Sequence, residues 1–310
     1  YIRYVDTDNQ SHWLFDSFLF LEIMDTGTGG ANKMFAKGYN LESANQADWT
    51  KLIDYYFQSE TGIGALDASV KEASAILGTP RQKRQIVISI PEPIVYQHPE
   101  QASSSTKYWG KIDNQTLDFS NSADRIKACK WYIDQVRAKF NEKNYQHVEL
   151  AGFYWLAEKA TDTRDILNAV AIYLNKLKYS FNWIPYYGAD GYNQWKSLGF
   201  NYAYFQPNYF FNESVPDSRL EDACQKALTY DMHMELEFDD NALNSRGKAY
   251  RLKNYMSAFK KHGIWEKKRL AYYQGSASLL TLKKSGNAAD TQLYHEFCNF
   301  VISRPIRSSH

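Results

Sequence analysis

The chain has 310 residues, enough for one large α/β domain. Hydrophobic residues make up 44% of it and charged residues 23%, which is typical of a globular protein and excludes a disordered one. The 36 basic and 35 acidic side chains nearly cancel and form no basic stripe, so we expect no nucleic-acid partner. Three cysteines are too few for a disulfide framework, and no apolar run reaches the length of a membrane span.

Aromatic residues are unusually frequent, with 24 Tyr, 17 Phe and 8 Trp making up 16% of the chain. Their flat apolar faces and polar rims suit the C–H faces of sugar rings, although many of them must also pack in the core. The composition therefore makes a carbohydrate ligand one hypothesis to test.

Short apolar runs rich in β-type residues predict strands that are buried on both faces. They lie at about 15–23, 85–91, 148–156, 180–187, 202–211, 232–238 and 268–274. Amphipathic helices lie between them, most clearly over 126–140, 166–177 and 220–228. Thr163 and Ser218 stand where N-capping residues are expected.

This alternation predicts a parallel sheet with helices outside it. We expect one α/β domain over residues 1–310, with a TIM (β/α)8-type barrel. An open doubly wound sheet is the rival, but no glycine-rich phosphate turn follows any predicted strand. A barrel needs eight strands and seven are visible, so we expect a truncated or irregular first strand, with Ile2–Val5 a candidate remainder.

Polar or aromatic side chains stand at the end of every predicted strand. In barrels the functional site is built at these carboxyl ends, so the pattern predicts a polar ligand there. The residues are Glu22, Asp25, Glu92, Glu158, Tyr186, Tyr187, Gln206, Asn208, Glu235, Glu237, Asp239 and Gln274.

Glycoside hydrolysis needs two carboxyl groups, and the sequence offers two centres. Glu158 closes an aromatic segment, which would raise the pKa of a proton donor; a solvated glutamate is the alternative. Glu235 and Glu237 share one face of a strand, where two carboxylates are costly without a function or a basic partner. We predict Glu158 as the acid and Glu237 as the second carboxylate, with Glu235 in reserve.

Counting 15–23 as the second strand places these centres on strands four and seven. A large clan of retaining barrel glycosidases has the same arrangement, which is an analogy at the level of the fold. The predicted substrate-binding residues are Trp155, Trp183, Tyr186, Tyr187, Gln206, Asn208, Tyr209, Asp239 and Gln274. Pro207 cannot donate to a strand ladder, so we expect an abrupt strand end there.

Other chemistries have weaker support. The seven histidines lack metal-ligand spacing, so we expect no metal and no cofactor. A metal-dependent hydrolase that uses His233, Glu235, Glu237 and Asp239 is a weaker alternative.

Several segments together span most of the chain and are specific as a set: Trp13–Leu21, Gly152–Trp155 with Glu158, Trp183–Tyr187, Gly199–Phe200, Gln206–Phe211 and Glu235–Asp239. In these segments the sequence resembles a bacterial family catalogued as domain of unknown function 4855. The resemblance implies a barrel related to glycosidases, from bacteria that degrade polysaccharides. It implies no particular substrate.

The leading hypothesis is a monomeric glycoside hydrolase that acts on an oligo- or polysaccharide, with retention favoured. The alternative is a non-catalytic carbohydrate-binding barrel of the cell surface. The substrate class leads us to expect a secreted, periplasmic or cell-surface protein. The chain begins with Tyr1, so we expect that an upstream segment has been removed.

Overall fold

The computed structural model describes residues 1–96, 109–275 and 277–305. The strands are β1 (Arg3–Val5), β2 (Ser11–Trp13), β3 (Ser17–Phe20), β4 (Lys33–Met34), β5 (Glu42–Ser43), β6 (Arg84–Ile90), β7 (Lys111–Ile112), β8 (Gln115–Thr116), β9 (Val148–Trp155), β10 (Ser180–Trp183), β11 (Tyr202–Phe205), β12 (His233–Glu237) and β13 (Leu270–Tyr273). The α-helices are α1 (Gln46–Tyr56), α2 (Ile63–Leu77), α3 (Ser122–Lys143), α4 (Arg164–Lys176), α5 (Ser218–Thr229), α6 (Ala249–Lys261), α7 (Ile264–Lys267), α8 (Ser278–Lys284) and α9 (Ala288–Ile302).

The chain divides into two compact units. We call the unit formed by Asp16–Trp183 and Gln194–Asn201 the N-terminal unit, because it contains the first four of the predicted parallel strands along the chain. The C-terminal unit comprises Tyr1–Phe15, Ile184–Asn193 and Tyr202–His310.

In the N-terminal unit, β3, β6, β9 and β10 are parallel and adjacent in chain order. One face of these strands is apolar and buried: Ile86, Ile88, Phe153 and Trp155 are all fully buried. Burial of a side chain of this size stabilises the fold by about 1.5–3 kcal/mol, so these strands form the core of the unit.

In the C-terminal unit, β11, β12 and β13 are also parallel and in chain order. The segment from Arg3 to Val5 pairs antiparallel with Ser11–Trp13 as a hairpin. The prediction that Ile2–Val5 is the remainder of a first barrel strand is therefore wrong. Its residues are paired locally, and Tyr4 packs against Tyr294 and His295 of α9.

The predicted α/β class, with its (β/α)8-type succession of strands and helices, is confirmed. Each of the seven apolar runs contains a parallel strand among the described residues. The strand predicted over 202–211 stops at Phe205, two residues before Pro207, as the proline requires. None of the described helices is both long and apolar enough to cross a membrane.

The two predicted helix caps differ in outcome. Thr163 is the N-cap residue of α4, as predicted, but its side chain makes no capping hydrogen bond; its hydroxyl accepts one from Trp155 Nε1 at 3.3 Å instead. Ser218 is the first residue inside α5, and Asp217 holds the N-cap position with a helical backbone, so no capping box forms. In both places the tertiary environment overrides the local signal.

Candidate active site

Glu237 is the last residue of β12, the central strand of the three in the C-terminal unit. Side chains alternate along the strand, so Glu235 and Glu237 share one face, as predicted. Tyr273 is the register partner of Glu237 on β13 and lies on the same face. The opposite face carries Leu236 and its partner Tyr272, whose ring packs on Phe297 of α9.

The carboxylate of Glu237 is completely buried and accepts several hydrogen bonds. Gln206 Nε2 donates to its Oε1 at 3.1 Å, and the backbone N–H of Asn208 donates to its Oε2 at 2.9 Å. The hydroxyl of Tyr255, on α6, donates to the same Oε2 at 2.5 Å, and the N–H of Tyr209 is a further donor. A buried carboxylate requires such partners, so its environment is built to hold it.

Burial is the strongest influence on this group and raises the pKa of Glu237 above its ordinary value, while the four donors lower it. The pKa of the Tyr255 hydroxyl is raised well above its usual range, first by burial and then by the charge of Glu237. The charge of Glu235 raises it as well, so both carboxyl groups of the predicted pair act on Tyr255. Glu235 is itself buried, with 6% of its surface exposed.

A sharp turn after β11 supplies two of the donors. Asn208 has φ 51°, in the left-handed region that asparagine tolerates better than most residues. Its Oδ1 accepts from Gln206 Nε2 at 2.8 Å, which joins the two side chains over the turn. The turn thus aims the Asn208 N–H and the Gln206 amide at Glu237.

Arg251 of α6 holds the segment that follows. It is 2% exposed, and its guanidinium lies 3.7 Å from the centre of the Tyr209 ring. It donates to the carbonyls of Tyr209, Asn212 and Val215. A buried guanidinium satisfied by three carbonyls of one loop fixes that loop against α6.

Several aromatic residues predicted to bind substrate are core residues here. Trp155, Trp183 and Tyr209 are fully buried, so they present no ring face to solvent. The half-buried ring of Tyr187 is stacked on Phe205 and is covered by the guanidinium of Arg219 at 3.9 Å. Burial does not support a sugar-stacking role for these rings in this conformation.

Three further predicted residues lie at strand ends in the C-terminal unit. Asp239 is half-buried and caps a short 3₁₀ helix by accepting from the Asn241 N–H at 2.8 Å. Gln274 is half-buried and accepts from the Leu279 N–H at 3.1 Å. Tyr186 is half-buried and forms a parallel bridge with Gln206. All three are beside the strand ends, as predicted, and their binding roles stay predictions.

Glu158 lies in the N-terminal unit, three residues beyond the end of β9. It is exposed, whereas Tyr154 and Trp155 before it are turned into the core. The aromatic wall expected around this carboxyl group is therefore part of the core instead. Its role as the proton donor stays a prediction without support from burial.

A second buried glutamate, Glu92, lies in the N-terminal unit, where it follows β6 and is 6% exposed. Its Oε2 accepts from the Lys37 N–H at 2.7 Å, and its own N–H donates to the Phe35 carbonyl at 2.8 Å. Burial raises the pKa of Glu92 to about 7, against the lowering effect of that one hydrogen bond. The charge of Asp162, which pairs with Lys37 Nζ at 2.9 Å, raises it further.

Sequence reasoning noted Glu92 at a strand end but did not select it. The sequence signal for a site residue was its position directly after Pro91 and two residues after an apolar strand. Among the described residues no cluster of three His, Cys, Asp or Glu side chains could hold a metal ion. His233 Nδ1 instead accepts from the Arg269 N–H at 3.2 Å.

Comparison with known proteins gives a family and a structural likeness. No curated protein matches the sequence. Among solved structures, the catalytic domain of a family GH18 chitinase from the fern Peteris ryukyuensis is similar, with 12% identity and a TM-score of 0.41. The match covers 76% of this chain and 79% of that one. The model of the family described as "Domain of unknown function (DUF4855)" matches residues 1–299, and the chain therefore belongs to that family.

Proposed function

We propose that this protein is a glycoside hydrolase that cleaves an oligo- or polysaccharide with two carboxyl groups. The observation that carries the proposal is Glu237, a buried carboxylate with a raised pKa at the carboxyl end of a parallel strand. A group in this position can hold a proton for a leaving oxygen or stabilise a positive charge on the sugar ring.

A substrate must gain contact with this group. Gln206 is half-buried and its amide is the donor on Oε1 of Glu237. A sugar hydroxyl can take the place of that amide, since it is also a donor. We propose Gln206 and Asn208 as substrate-binding residues on this ground, with Asp239, Gln274 and Tyr186 beside them.

The second carboxyl group is proposed to be Glu158, as the acid, with Glu235 as the reserve for Glu237. Glu158 is exposed and so is accessible to a substrate. We favour retention, in which one carboxylate attacks the sugar and the other protonates the leaving oxygen. A polysaccharide substrate also implies a secreted, periplasmic or cell-surface protein.

The test compares Glu237→Gln, Glu235→Gln and Glu158→Gln with the parent on a panel of polysaccharides. We expect Glu237→Gln to lower kcat at least about a hundredfold, because the amide cannot hold or accept the proton. Glu149→Gln, an exposed glutamate on β9, is the matched control and should keep full activity. Proton NMR of the first product formed then gives the anomeric outcome. Unchanged activity in both Glu237→Gln and Glu158→Gln would exclude the two-carboxylate mechanism.

One observation favours a second function. Glu237 has no exposed surface and four donors, which also suits a purely structural carboxylate. A non-catalytic carbohydrate-binding protein would keep that arrangement. Binding of a polysaccharide with no hydrolysis, equal in the parent and in Glu237→Gln, would support this candidate.

A further inference from the structure

Two large aromatic rings are exposed at the strand ends of the C-terminal unit. Phe211 is 41% exposed and Tyr273 is 45% exposed. Their centroids are 6.1 Å apart with an interplanar angle of 77°, so the rings make an edge-to-face contact. The contact orients the two rings against each other, and each side chain keeps close to half of its surface exposed.

The two rings neighbour Glu237 and its hydrogen-bond donors, one across the sheet and the other along the chain. Tyr273 is the register partner of Glu237 on β13 and lies on the same face of the sheet. Phe211 comes three residues after Asn208, whose N–H donates to Glu237. Gly275, just beyond Tyr273, lets the chain pass close to Asp239: a Cβ there would lie 3.0 Å from that of Asp239.

Polar groups border the pair. Lys248 Nζ donates to the Phe211 carbonyl at 3.0 Å and lies 3.9 Å from a carboxylate oxygen of Glu213. Tyr250 donates from its hydroxyl to Glu213 at 3.3 Å and is itself 44% exposed. Apolar ring faces inside a polar border match a sugar, which has C–H groups on one face and hydroxyls around its edge.

Arg251 makes this surface preformed. It fixes the carbonyls of Tyr209, Asn212 and Val215, which lie on both sides of Phe211. A ring that is already held in place loses little conformational freedom when a ligand stacks on it. An exposed but ordered aromatic pair is therefore suited to binding.

We propose that Phe211 and Tyr273 form an aromatic platform for a neutral oligo- or polysaccharide, with a pyranose ring stacked on one aromatic ring and bordered by the other. The proposal rests on the proposed function, because it places the substrate beside Glu237. It assigns the platform to these two exposed rings, in place of the buried rings of Trp155, Trp183 and Tyr209.

The experiment is affinity electrophoresis of the full chain in native gels that contain β-glucan, glucomannan, arabinoxylan or glycol chitin. We expect the parent to be retarded by at least one of these polymers. Phe211→Ala and Tyr273→Ala should each weaken that retardation about tenfold, the order expected for loss of one stacked ring. Tyr39→Ala, which removes a ring that is 40% exposed in the N-terminal unit, is the matched control and should bind as the parent does.

Two further variants keep the test independent of folding. Phe211→Tyr and Tyr273→Phe keep a ring at each position and should retain binding, whereas the alanine variants lose it at an unchanged melting temperature. Absence of retardation of the parent in all four polymers would overturn the proposal. Equal retardation of the parent and both alanine variants would overturn it as well.

The same gels separate this proposal from the proposed function. Glu237→Gln keeps both rings, so it should be retarded like the parent even where hydrolysis is lost. Binding that depends on the rings, in a protein without hydrolytic activity, would retain the platform and exclude the hydrolase. Hydrolysis that depends on Glu237, with binding unaffected by Phe211→Ala and Tyr273→Ala, would retain the hydrolase and exclude the platform.

Discussion

Each unit buries a glutamate just beyond or at the end of a parallel strand, and the two carboxyl groups are held very differently. Glu237 accepts hydrogen bonds from two side chains and two backbone N–H groups. Glu92 accepts one, from the Lys37 N–H. Burial raises the pKa of both groups, and Glu237 has four donors that oppose this effect whereas Glu92 has one.

This difference shows that burial alone does not give a carboxyl group its role. A carboxylate with four donors can keep its charge in the core and can organise the groups around it. A carboxyl group with one donor and a pKa of about 7 exchanges a proton near neutral pH. Four substitutions test the contrast.

Replacing each glutamate with leucine, which has a similar size, should give the largest difference. Glu237→Leu removes the acceptor that four donors share, and we expect a loss of about 4 kcal/mol in the free energy of unfolding. Glu92→Leu leaves one N–H unpaired and removes a costly buried carboxyl group, so we expect a loss of about 1 kcal/mol. Guanidinium denaturation at pH 7 measures both values. Losses of equal size would contradict the contrast.

The pH dependence of the unfolding free energy should reveal the raised pKa of Glu92 in the folded protein. Its pKa is about 7 in the folded protein and 4.5 in the unfolded chain, so the folded state holds the proton more tightly. The stability that the proton contributes is fully present below pH 4.5 and is lost as the pH rises through 7. We expect Glu92→Gln to gain about 3 kcal/mol relative to the parent between pH 4.5 and pH 8, because it does not titrate.

Thermal or urea unfolding across that range gives the comparison. Glu149→Gln is the control, since this glutamate on the neighbouring strand β9 is exposed. A constant difference between Glu92→Gln and the parent at every pH would show that Glu92 stays ionised in the fold.

Removal of one donor from Glu237 should have the smallest effect. Tyr255→Phe deletes the hydroxyl that lowers the pKa of Glu237, so we expect that pKa to rise further. We expect a loss of about 1–2 kcal/mol in unfolding free energy at pH 7. NMR titration of ¹³C-labelled glutamate carboxyls measures the pKa directly.

Tyr132→Phe provides the control for this prediction. The Tyr132 hydroxyl is buried and has no hydrogen-bond partner among the described residues. Its removal should leave the fold as stable as the parent or slightly more stable. An unchanged Glu237 titration in Tyr255→Phe would mean that the tyrosine does not bear on the carboxylate.

The sequence alone predicted those features that depend on a local pattern of residues. Strand alternation placed Glu235 and Glu237 on one face, and Pro207 ended β11 where expected. The seven strands followed from their apolar runs, because a strand buried on both faces leaves a continuous apolar segment.

The rest depended on contacts between distant parts of the chain. Tyr255 follows Glu237 by 18 residues and lies on another element, so no local pattern connects them. Aromatic content did not separate the buried ring of Trp183 from the exposed ring of Tyr273, because both end apolar strands. Burial of Glu92 and exposure of Glu158 likewise arise from tertiary packing.

The hydrogen bonds from Arg251 to three backbone carbonyls have a consequence for protein engineering. An insertion or deletion between Tyr209 and Val215 shifts at least one carbonyl away from the guanidinium. The buried charge of Arg251 then loses a hydrogen-bond acceptor. A loop transplanted from a relative should therefore be tolerated only when α6 is transplanted with it. We expect libraries that recombine this loop and this helix as one block to yield many more folded variants than libraries that exchange either alone.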